Sequence, residues 1–114
     1  MTDRTEGAGH RPAPVHTHPD DVSFLTALSA LADPVRLQLI RELAGHPDWT
    51  LSCSNFHVSV GRAAKSHHFS VLRDAGLVEQ RDQGPKRINR LRREEFDARF
   101  PGLLDLALRP DTVE

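Results

Sequence analysis

Apolar residues recur at helical spacing over Val22, Leu25, Leu28, Leu31 and Ala32. This predicts a first helix starting near Asp20 or Asp21, either of which can cap it with a carboxylate oxygen. Asp33-Pro34 is a second start signal, an acid at the cap and a proline where a missing N–H does no harm. Val35, Leu39, Ile40 and Leu43 form the stripe that follows, and Gly45, His46 and Pro47 end it. Residues 49–57 predict a short helix or turn, and residues 58–61 a tight connection. From Arg62 to Ala75, with Ala64, His68, Val71, Leu72 and Ala75 on one face, the spacing predicts another helix. Gly76 closes it in the left-handed conformation. Leu77-Val78 opens an extended segment, Asp82–Pro85 reads as a turn, and Lys86–Leu91 as the return strand of a hairpin. Glu94–Phe100 predicts a helix that Pro101 interrupts. Leu103, Leu104, Leu106, Ala107 and Leu108 predict a last one before Pro110.

Residues 1–19 carry Gly, Pro, Thr and His without apolar periodicity and are expected to be a disordered tail. Residues 20–109 then form one domain, and residues 110–114 a short C-terminal tail. With 114 residues, 38% of them hydrophobic, the chain buries little surface alone. A second copy is a natural way to complete the core. One cysteine excludes an internal disulfide scaffold and favours a cytoplasmic setting. No apolar run nears the roughly 20 residues needed to span a bilayer, so no membrane partner is expected. The first residues also lack the apolar centre of a secretory signal.

Charge is unevenly distributed. The net charge of -1 hides 10 basic against 6 acidic side chains over residues 61–99. Within Arg81–Arg93, 6 basic residues face Asp82 alone. Helix, turn, helix and then a basic hairpin is the winged helix-turn-helix order, a mainly α fold with a small β-hairpin wing. A major groove about 12 Å wide admits one α-helix, and basic residues on a second element can hold the adjacent phosphates. Double-stranded DNA is therefore the expected partner. Arg62, Ala63, Lys65, Ser66 and His67 occupy the first turns of the recognition helix, where base edges are met. Arg81, Lys86, Arg87 and Arg90 sit on the hairpin as phosphate contacts. Arg62 could read guanine bidentately, worth about 1–3 kcal/mol of discrimination. The bland alternative for the hairpin is a solvated charged face.

ALADPVRLQLIRELA (residues 30–44) and SHHFSVLRDAGLVEQRDQG (residues 66–84) resemble the ArsR/SmtB winged-helix repressors, over about residues 22–108. The resemblance implies a homodimer that pairs through its first and last helices, binds a palindromic operator and changes DNA affinity on meeting an inducer. Leu25, Leu28, Leu103, Leu104, Ala107 and Leu108 are the expected interface residues. Two departures stand out. Gly61-Arg62-Ala63-Ala64-Lys65 replaces the usual serine-rich helix start. LSCSNFH carries Cys53 alone where many relatives pair cysteines, and GLLDLALRPDTVE has no histidine on the last helix.

Neither of the family's metal sites is intact, so metal sensing would need other ligands. Cys53 and His57 are spaced i, i+4, on one face if the segment is helical. His10, His16 and His18 could supply imidazoles to nickel or zinc. The alternative is a small buried cysteine and incidental histidines. A different class of reading is a regulator, repressor or activator, that takes no ligand and acts with a partner protein. A winged helix used purely for protein contacts has no need of the cation-rich hairpin. Nucleophile elbow, P-loop and dinucleotide fingerprint are all missing, so enzyme activity is not expected.

Overall fold

The computed structural model describes residues 12–110. A single 3-10 turn at Pro19–Asp21 precedes α1 (Phe24–Leu31), α2 (Pro34–Ala44) and the short strand β1 (Leu51–Ser52). A second 3-10 turn, Cys53–Asn55, leads through extended residues to α3 (Arg62–Asp74). The hairpin of β2 (Val78–Gln83) and β3 (Lys86–Leu91) follows, then α4 (Arg93–Arg99) and α5 (Leu103–Leu108). The strands form one antiparallel sheet in the order β1-β3-β2. This is a winged helix-turn-helix: mainly helical, with a small sheet whose hairpin is the wing.

Local chemistry explains the starts and stops. Ser23 Oγ accepts the N–H of Thr26 at 3.1 Å and caps α1. Asp33 Oδ1 accepts from Val35 and Arg36 at 2.9 and 3.0 Å, and Pro34 fills the first position of α2. The Arg36 N–H bond is the main cause holding the Asp33 carboxyl below its usual range. The wing turns through Gly84-Pro85, with Gly84 at φ +60°, as a two-residue type II′ hairpin requires. At the end of α3, Gly76 has φ +72°, and a Cβ there would come within 2.9 Å of Pro19 Cα. Both the left-handed backbone and the close approach of the N-terminal chain demand glycine.

The core is built from Leu39 and Ile40 of α2, Phe69 and Leu72 of α3, Leu77 and Val78 at the wing's base, Phe96 of α4 and Leu104 of α5. Phe56 meets Phe69 edge to face at 5.3 Å, which closes the turn preceding α3 onto that helix. Among the described residues no helix is long and apolar enough to cross a membrane.

The structure corrects three expectations. Leu104 is 0% exposed, so it belongs to the core of a single chain and not to an interface between chains. Leu103, Ala107 and Leu108 are half-buried against that same core. Four leucines in six residues cannot all share one side of a helix, and the inner side faces α2 and α4. Second, the Cys53–His57 stretch is a single 3-10 turn followed by extended chain. The helical i, i+4 geometry therefore does not exist there. Third, order begins before residue 20. Residues 12–18 lie along the body, fastened by hydrogen bonds from Arg73, Arg87 and Arg92 to their carbonyl groups.

Candidate nucleic-acid interface

The first turns of α3 stand clear of the core because its buried residues, Phe69 and Leu72, come later. Arg62, Ala63, Ser66 and His67 are exposed there. Lys65 is half-buried, and its Nζ donates to the Cys53 carbonyl at 3.2 Å, pinning the preceding turn to the helix. His68 faces inward as its place on the apolar stripe implies. Its Nδ1 lies 3.1 Å from Arg36 Nη1, and Arg36 Nε donates to the Ala30 carbonyl at 2.7 Å. The pair links α3 to the α1–α2 corner.

On the wing the cations differ in availability. Lys86 is exposed at the tip. Arg81 is exposed and its guanidinium stacks 4.1 Å above the Trp49 ring. Arg87 is shared, pairing with Asp82 at 2.9 Å and donating to the Pro12 carbonyl at 3.0 Å. Arg90 departs from its expected role. It is held between Glu79 at 3.0 Å and Glu95 at 2.5 Å, with its side chain only 19% exposed. Burial pushes the Glu95 carboxyl up, but hydrogen bonds from Arg90 and Arg92 outweigh it and bring it to about 2. Arg90 is thus a brace between wing and α4, already neutralised by two carboxylates. The signal was present in the hairpin: a turn centred on Gly84-Pro85 puts Glu79 directly opposite Arg90.

Between α3 and the wing lies an open cleft of about 690 Å³. Arg62, Lys65, Arg73, Lys86 and Arg87 line it, with Ser52, Ser54 and Ser66, and no carboxylate is among its lining residues. Sequence reading missed Arg73 and the cleft floor. There Gln80 Nε2 donates to Asn89 Oδ1 at 2.7 Å and to Cys53 Sγ at 3.1 Å, and Arg73 donates to Gln80 Oε1. The Gln80 and Asn89 side chains sit on strands with no polar periodicity to announce them. Gln80 and Asn89 are a directly opposed pair, which the register alone reveals.

The metal candidates are not brought together. Cys53 points into the Gln80–Asn89 cluster. His57 is on the outside, 3.3 Å from Glu42 Oε1. Burial pushes the Glu42 carboxyl up, yet bonds from Gln38 and His57 bring it below its usual range. His16 Nε2 accepts the Gln80 N–H, and His18 Nδ1 accepts the Asp20 N–H. His10 lies outside the described residues. Among the described residues no three His, Cys, Asp or Glu side chains converge as a metal site would require. Within one chain, Cys53, His16, His18 and His57 are therefore not assembled into a nickel or zinc site.

The fold and its cation-lined face define a DNA-reading architecture, and the comparison with known proteins agrees. No family model matches the chain. Over 90 residues it is 32% identical to YceK of Bacillus subtilis strain 168, an uncharacterised helix-turn-helix transcriptional regulator, covering 75% of this chain and 87% of the relative. The chain belongs to the helix-turn-helix transcriptional regulators, a class that is not enzymatic.

Proposed function

We propose that the chain is an ArsR/SmtB-type regulator that grips palindromic double-stranded DNA as a homodimer, with α3 in the major groove and the wing on the flanking backbone. The observation that carries this reading is the cleft between them, lined by five cations and no carboxylate. A potential of one sign in a concave, serine-bearing surface suits phosphate oxygens. Arg62, Ala63, Ser66 and His67 are the base-reading positions. Lys86, Arg81 and Arg87 hold phosphates, and Arg73 and Lys65 strengthen the field from behind.

DNA selection followed by footprinting tests the reading, and a palindromic footprint is expected. Salt dependence then sorts the cations. Each phosphate neutralised contributes about -0.9 to the slope of log affinity against log salt. Lys86→Ala should flatten the slope by about that amount. Arg90→Ala should leave the slope unchanged and lower the melting temperature instead, since it removes a brace. A flat salt response of the parent protein would refute DNA contact.

The engagement of Cys53, His16, His18 and His57 with protein partners favours regulation without a metal held by these residues. Operator affinity measured with nickel, with zinc and with chelator should be equal. An affinity change of tenfold or more on adding metal would restore metal sensing and point to residues outside 12–110 or to a shared site between copies.

A further inference from the structure

The segment of residues 12–18 has no helix or strand of its own, yet it is fastened along its length. Thr17 donates its N–H to the Arg73 carbonyl at 3.3 Å, and Arg73 Nε returns a bond to the Val15 carbonyl at 3.1 Å. Arg87 Nη2 holds the Pro12 carbonyl at 3.0 Å. Between these ties, His16 Nε2 accepts the main-chain N–H of Gln80 at 2.9 Å. Gln80 lies on β2, the edge strand of the sheet, so an N–H on its outer side has no neighbouring strand to receive it. The imidazole fills that place. The Gln80 side chain is in turn the hub joining Arg73 of α3, Asn89 of β3 and Cys53 of the turn before α3. One histidine therefore fastens the N-terminal strap to the residue that sets the wing against α3.

We propose that residues 12–18 form a latch that positions the wing for DNA, closed while His16 is neutral and opened by its protonation. The proposal rests on the DNA-binding reading for its consequence, but not for its mechanism. Nε2 can accept the Gln80 N–H only without a proton, so the closed state requires the tautomer with its hydrogen on Nδ1. A protonated ring would oppose donor to donor. The groups facing it are Glu79 and Gln80 from β2, Arg73 from α3, Arg87 from β3, and Arg92 just beyond β3. Burial first, then the three guanidinium groups, hold the imidazole below its ordinary value of 6.5 against the opposing pull of Glu79. Because the latched ring binds its proton less readily than a released one, the latch is complete above about pH 6.5 and is lost as pH falls through the latched value. Pro12, Pro14 and Pro19 stiffen the released strap, so little chain entropy opposes closure. A single hydrogen bond can then shift the balance.

The test uses the full isotope-labelled chain. At pH 7.5 the Gln80 amide should exchange slowly. On acidification the His16 ring should titrate below pH 6.5, and the wing amides should shift with the same midpoint. His16→Leu should raise Gln80 amide exchange by about fivefold to tenfold, the worth of one hydrogen bond, and abolish the wing's response. His16→Gln, whose amide oxygen accepts at any pH, should keep the protection and lose the titration. This variant also serves if His16→Leu fails to fold. DNA affinity at fixed salt should fall about fivefold more between pH 7.5 and 5.5 for the parent than for His16→Gln. Unchanged Gln80 exchange in His16→Leu, or wing amides that ignore the His16 titration, would overturn the latch. Loss of all DNA binding at pH 7.5 with the amide titration intact would remove the DNA reading and leave the latch standing.

Discussion

A chain carrying both Leu25→Asp and Leu28→Asp is expected to stay folded, become monomeric and lose at least about a hundredfold in affinity for a two-half-site operator. These leucines stand 74% and 41% exposed on α1, beside Phe24, while the same helix turns Ala27, Ala30 and Leu31 inward. Leu31 is the one large side chain that α1 buries, so most of its large apolar surface, on Phe24, Leu25 and Leu28, is left unpartnered. Burying a leucine side chain is worth about 1.5–3 kcal/mol, and a two-fold interface would bury each of these twice. Phe24 meets the Phe100 ring at 6.1 Å, which places α1 beside the α4–α5 corner. Joining two half-site contacts in one particle raises affinity by about a hundredfold to ten-thousandfold without any new DNA contact. Light scattering would report the mass, circular dichroism the fold, and fluorescence anisotropy the affinity. A variant that remains dimeric and binds as before would move the interface off α1.

Much of the fold was legible because its signals are local. Asp33-Pro34 and the Arg62–Ala75 stripe each announce an element through chemistry within a few residues, and the structure places α2 and α3 there. Gly76 ends α3 at positive φ as its position implied. The candidate site was legible at the tip and at the start of α3, where Lys86 and Arg62 are exposed. It was misjudged where a second strand decides the matter. Arg90 looks like Lys86 in a charge tally, and only the pairing across the hairpin with Glu79 and the packing of α4, which brings Glu95, show its two carboxylates. Cys53 and His57 looked paired because helical spacing was assumed for a segment that makes one turn and then extends. The strap was invisible for a different reason. Its ties run through main-chain carbonyls and one imidazole, and neither leaves a periodic trace.

The last helix separates the two kinds of apolar residue most sharply. Leu104→Asp is expected to unfold the chain at 25 °C, whereas Leu106→Asp should melt within a few degrees of the parent and weaken self-association. Leu104 has no exposed surface, and Leu106 is 61% exposed on the same short helix. Removing a buried leucine side chain costs about 2–5 kcal/mol, and the carboxylate that replaces it would find itself desolvated among α2 and α4 with no partner provided. A domain of this size holds on the order of 5–10 kcal/mol in total, so the two costs together exhaust it. On the outer side an aspartate keeps its water, and what it removes is apolar area available to a second copy. Urea titration followed by circular dichroism distinguishes the outcomes. If Leu104→Asp were folded and merely monomeric, α5 would have to face outward, and the packing of Leu104 against α2 described above would be wrong.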